Sequence, residues 1–112
     1  MRFRRALDSG NVTEALSAAS ELEHVGLAEA LELCLLLRDK EPRRFPRAAL
    51  RWHGRFCREV DVSLEEAQAV LSALALLAGG RKQNAAYALA DLLSRRGMER
   101  PCETLVAWAR QA

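Results

Sequence analysis

Apolar residues recur three and four positions apart through most of the chain, the spacing that places them on one face of an α-helix. Val12, Ala15, Leu16, Ala19 and Leu22 make one such stripe. Asn11 ahead of them reads as an N-cap, with Glu14 three residues on as its capping-box partner. Ser9-Gly10 closes a shorter helix over about Arg2 to Asp8. After a turn at His24 to Gly26, the period predicts a third helix from Leu27 to about Asp39, with Pro42 beyond its end. A fourth runs from about Pro46 or Arg47 to Val60. Ser63 caps the fifth and Glu66 completes a capping box in "SLEE"; this helix reaches Ala78 and stops at Gly79-Gly80. The sixth covers about Gln83 to Arg96, with Ala85, Leu89, Leu92 and Leu93 as its inner stripe, and ends at Gly97. Pro101 suits the first turn of a seventh, in which Cys102, Leu105, Val106 and Ala109 line one side.

Two helices depart from the ordinary one-sided pattern. In the third, Leu27, Leu31, Cys34 and Leu35 form one stripe, while Leu33, Leu36 and Leu37 fill other faces; a helix apolar nearly all round belongs at the centre. The fourth is two-faced in the extreme. On a wheel of about 100° per residue, Arg47, Arg51, Arg55 and Arg58 fall within a sector of roughly 80°, and Arg44 joins them if the helix extends that far. Phe45, Ala49, Trp52, Phe56 and Val60 occupy the opposite side and read as core.

These elements predict one all-α domain over residues 1–112, with six substantial helices and one short one joined by short turns. Short connections make successive helices antiparallel neighbours, which leaves a compact helical bundle or a short α-solenoid of hairpins. Composition agrees: Ala, Leu, Arg and Glu dominate, all good helix formers, and there is no Ile. At 112 residues a single core can form, burying roughly two-thirds of the unfolded surface. The phrase "SGNVTEALSAASEL" resembles the start of a helix in tetratricopeptide-type repeats, where a Gly-polar turn precedes an "xxEAL" helix. The resemblance covers about one hairpin, Ser9 to Leu37, and implies helical-hairpin architecture without assigning a specific family.

Charge sharpens the picture of the fourth helix. Asp8 to Glu41 carries eight acids and two bases, whereas Arg43 to Arg58 carries six arginines and no acid. Like charges four apart on a helix cost about 0.2–0.5 kcal/mol per pair. Three readings of the stripe follow: a solvated face, internal pairing with Glu21, Glu29 or Glu32, or an external anionic partner. A nucleic-acid alternative lies elsewhere. Arg81, Lys82, Gln83 and Asn84 open the sixth helix with Tyr87 one turn on, and Gln or Asn at a recognition-helix start can read adenine. The net charge of only +2 weighs against nucleic acid.

Sites for chemistry are sparse. Cys34, Cys57 and Cys102 are widely separated and never form a CxxC pair, so reduced, mostly buried thiols are expected. His53 and Cys57 share a face of the fourth helix and offer half a zinc site, for which His24, Cys34 and Cys102 would have to supply the rest. Cys57 beside His53 could also be a reactive thiol, but no orienting third residue accompanies it. Gly79-Gly80 lacks phosphate-loop spacing, and Glu65 and Glu66 read as acids suited to a helix start. No enzyme activity, cofactor, metal or small-molecule substrate is therefore expected. The charged start has no apolar segment after it, and the stretch Ala67 to Ala78 is too short to span a bilayer, which points to a cytoplasmic protein. Arg and Ala in place of Lys and Ile suggest a bacterial coding sequence rich in G and C.

The expectation is thus a non-enzymatic helical adaptor or scaffold domain. Its face of Arg44, Arg47, Arg51, Arg55 and Arg58 would dock an acidic partner protein. The alternatives are a nucleic-acid-binding helical protein, or a structural piece of a larger helical assembly or homodimer.

Overall fold

Helices form where the period and the caps place them. A computed structural model of the chain describes residues 2–80 and 82–111. Among these are α1 (Arg2–Ser9), α2 (Val12–Ser20), α3 (Leu27–Lys40), α4 (Phe45–Glu59), α5 (Leu64–Ala78), α6 (Lys82–Arg95) and α7 (Glu99–Gln111). No strand occurs among the described residues. The Asn11 side chain accepts the Glu14 amide at 3.0 Å. At α5 the capping box is complete: Ser63 Oγ accepts the Glu66 amide at 3.1 Å, and Glu66 accepts the Ser63 amide at 3.0 Å. That backbone bond leads the contacts that hold the Glu66 carboxyl below its ordinary value. The α2 box is only half made, because the Glu14 carboxylate turns to Arg2 instead.

Glycines end two helices in the same way. Gly10 and Gly97 sit at φ +74° and +73°, in the left-handed region. Each follows a paired closure: Asn11 N–H to Ala6 O with Gly10 N–H to Leu7 O, and Met98 N–H to Leu93 O with Gly97 N–H to Ser94 O. This six-to-one and five-to-two pairing is the Schellman stop. Two boundaries differ from the expected ones. α2 ends before Leu22, because the Glu21 and Leu22 amides tighten onto Ala18 and Ala19. A 3-10 turn over Pro42–Arg44 leads straight into α4, which therefore starts at Phe45. α7 starts at Glu99, which puts Pro101 in its first turn as expected.

The packing is a closed ring. α4 packs on α3, α5 on α4, α6 on α5, α7 on α6, and α7 returns to α3. The chain is therefore a compact bundle, since hairpins stacked as a solenoid would leave α3 and α7 apart. The ring encloses Leu31 and Leu35 of α3, the aromatics of α4, and leucines of α5, α6 and α7. Trp52 stacks on Phe56 with ring centroids 5.4 Å apart and planes 7° from parallel. Its indole N–H donates to Leu27 O at 2.9 Å, pinning the start of α3 to α4. At the other end of α3, Arg38 donates to Leu77 O and Gly79 O at 2.7 and 3.0 Å. It thereby caps the open carbonyls of α5.

The hairpin of α1 and α2 sits outside this ring. It buries Phe3, Ala6, Ala15 and Ala18 in a second, smaller apolar cluster against Leu33 and Leu36 of α3. α3 is thus buried on two sides, as its all-round apolar pattern requires. Arg4 fastens the hairpin with a two-pronged bond to Glu32, Nη1 to Oε2 at 2.7 Å and Nη2 to Oε1 at 2.9 Å.

Four buried residues are a small anchor beside the main core, so the hairpin should open separately from the bundle. Phe3→Ala is expected to bring α1 and α2 amides to near-unprotected hydrogen exchange. The amides of α4 to α7 should keep their protection in the same experiment.

Candidate docking groove

α4 presents its two faces as its sequence dictates. Phe45, Ala49, Trp52 and Phe56 are buried, while Arg44, Arg47, Arg51 and Arg58 are exposed. Arg55 is the exception within the stripe. Its side chain is only 25% exposed, its Nη2 donates to Val25 O at 2.7 Å, and its Nε pairs with Glu59 at 2.8 Å. Arg55 therefore holds the turn before α3 against α4, and it is the leading cause of the lowered Glu59 carboxyl. Arg44 meets Glu41 at 3.2 Å on the surface. Arg47, Arg51 and Arg58 form no ion pair or side-chain hydrogen bond among the described residues, and neither does Arg43.

Internal neutralisation through α2 and α3 does not occur, because their acids are already engaged. Glu21 pairs with Arg2 at 2.6 Å, Glu32 with Arg4, and Glu29 with Arg100 of α7 at 2.5 Å. Burial pushes the Glu29 carboxyl up, but its own backbone amide and Arg100 outweigh that and hold it below the ordinary value. The basic partners of Glu21, Glu29 and Glu32 thus come from α1 and α7, not from α4.

Between α2, α3 and α4 lies a groove of about 530 Å³. Its floor and far wall are apolar: Leu16 and Ala19 from α2, Ala30, Leu33 and Leu37 from α3, and Ala48 from α4. The near rim is cationic, with Arg43, Arg44, Arg47, Arg51 and Arg55 along one edge. Of the five arginines the sequence singles out, four line the groove and Arg58 does not. Arg43 joins them from the turn ahead of the helix, a position the wheel does not reach. Ala19, Ala30 and Ala48 line the groove with short side chains. On the opposite flank of α4, Leu50 and Leu71 are 61% and 39% exposed beside a smaller apolar depression of about 250 Å³.

The second nucleic-acid patch is not assembled in the same way. Arg81 and the side chain of Lys82 lie outside the described residues. Gln83 donates its amide to Ala109 O of α7 at 3.1 Å, so that group is committed to helix packing. Asn84 and Tyr87 are exposed.

The His53 and Cys57 pair is close but not aligned. His53 Nε2 lies 2.7 Å from Ala67 O, a contact that requires the proton on Nε2. Cys57 Sγ is 3.7 and 3.9 Å from the two ring nitrogens. A sulfur nearly equidistant from both is off the lone-pair axis of Nδ1, so proton transfer between them is not directed. Among the described residues no three of His, Cys, Asp and Glu come close enough together to hold a metal ion. No helix among them is long and apolar enough to cross a membrane. Comparison of the chain with protein-family models, curated proteins and solved structures finds no match.

Cys34, on the groove floor, is buried, and that burial pushes its thiol up to about 12. Reactivity needs the thiolate. At neutral pH a thiol reagent is therefore expected to label half-buried Cys57 and Cys102 well before Cys34. Peptide mass spectrometry over a labelling time course checks this order.

Proposed function

We propose that this chain is a non-enzymatic helical interaction domain that docks an acidic partner protein through the arginine rim of α4. The observation that carries the reading is the distribution of charge partners. Glu21, Glu29 and Glu32, the acids that could have quenched the stripe, are paired with Arg2, Arg100 and Arg4. Arg47 and Arg51 remain uncompensated beside an apolar groove. Unpaired like charges on one helix edge raise the local positive potential, which favours an anionic surface. An apolar floor adds the non-directional contribution that surface charge alone lacks.

The same placement disfavours self-association through α4, because a two-fold contact would set the arginines of two copies against each other. It also disfavours nucleic acid, whose backbone offers charge but no apolar ridge for the groove.

The test uses Arg47→Glu with Arg51→Glu, leaving Arg55 intact for its structural bonds. Both targets are exposed and unpaired, so thermal stability should change by no more than about 0.5 kcal/mol. Acidic proteins retained by the immobilised wild-type chain should be lost from the double variant, and their retention should fall with salt. Equal retention by both would refute the reading, and retention of RNA or DNA alone would replace it.

A further inference from the structure

Resting on that reading, we infer that the segment the groove receives is an amphipathic α-helix of about three turns, apolar along one face and acidic along the flank next to α4. Three observations lead there.

The first is the division of the groove itself. Arginines line only the α4 edge, while Leu16, Leu33 and Leu37 make the rest apolar. An occupant must match both: a continuous apolar ridge with acids beside it on one side. A purely acidic loop would leave the floor wet, and a purely apolar segment would strand Arg47 and Arg51 at its border.

The second is the absence of backbone partners. The groove walls are helices, whose mid-segment amides and carbonyls are already paired with one another. An extended peptide laid there would bury its own N–H groups without acceptors, since arginine side chains only donate. A helix brings its backbone bonds with it and needs only side-chain contacts, the helix-in-groove mode.

The third is length and register. Arg44, at the end of the 3-10 turn, and Arg47, Arg51 and Arg55 of α4 follow one another at three- and four-residue steps. At about 1.5 Å per residue they span roughly 16 Å, or three turns of a helix lying alongside. Carboxylates four residues apart on that helix would come into step with Arg47 and Arg51, the two of this row that hold no partner. Its apolar side chains would enter where Ala19, Ala30 and Ala48 leave room.

The experiment is selection from a random display library of peptides of about sixteen residues, roughly four helical turns. The bait is the full chain, with counter-selection on the Arg47→Glu and Arg51→Glu double variant. A second variant, Ala48→Arg, fills the groove while adding positive charge; circular dichroism and denaturant unfolding confirm that both variants fold. The expected winners carry large apolar residues at helical spacing with Asp or Glu alongside, and become helical when bound. Their affinity should drop at least about tenfold on either variant. Acid-rich winners without apolar spacing that bind Ala48→Arg equally well overturn the helix inference but leave acidic docking standing. If no arginine-dependent peptide emerges, both fail. Arginine-dependent binding to anionic phosphatidylserine vesicles without any such peptide also overturns the inference, by assigning the groove to a lipid surface.

Discussion

The structure depends on α3 burying two opposite sides at once. Its Leu31, Cys34 and Leu35 complete the ring of α3 to α7, while Leu33 and Leu36 receive the α1–α2 hairpin. A helix with so many leucines has no orientation in which one neighbour covers them all, so a second layer must cover the remainder. Closure of α7 onto α3 provides the first layer, and the hairpin provides the second. Because the hairpin lands on α3 beside α4 without meeting α4 fully, a groove remains between α2 and α4, with α3 as its floor.

The electrostatics follow from that arrangement. Docking the hairpin brings Arg4 to Glu32, and within the hairpin Arg2 of α1 meets Glu14 and Glu21 of the α2 segment. Closing the ring brings Arg100 to Glu29. Both acts of packing consume acids of the negative half of the chain. What remains is a rim of arginines on α4 whose charge has no counterpart among the described residues, apart from Glu41 and Glu59 at its two ends. Exposed ion pairs contribute little to stability, typically 0–1 kcal/mol each. Their importance here is geometric: they decide which surface is left positive.

Much of this was legible in the residues. The caps at Asn11 and Ser63, the stops at Gly10 and Gly97, the aromatic face of α4 and the central place of α3 all follow from local spacing. Local spacing reports the conformation of a single element, so the helices could be read without knowing their neighbours. The groove could not. It is made by α2 and α4, which are not consecutive, and by Ala19, Ala30 and Ala48, which by themselves are ordinary helix formers. The ion pairing was unreadable for a related reason. Segment totals set the acids of α2 and α3 against the arginines of α4, but pairing is fixed by which helix ends meet in space. Arg2, Arg4 and Arg100 reach Glu21, Glu32 and Glu29 first. Arg55 read as one more member of the stripe, and only the fold shows its bond to Val25 O. Arg43 precedes the helical period, so the wheel assigns it no place on the rim.

The acids of α3 belong to α1 and α7, which leaves Arg47 and Arg51 on the α4 rim without a partner. Double-mutant cycles in denaturant unfolding test this pairing most directly, with Glu32→Ala combined in turn with Arg4→Ala and with Arg51→Ala. A coupling of roughly 0.2–1 kcal/mol between Glu32 and Arg4 is expected, with none between Glu32 and Arg51. Coupling of Glu32 to Arg51, with none to Arg4, would contradict it.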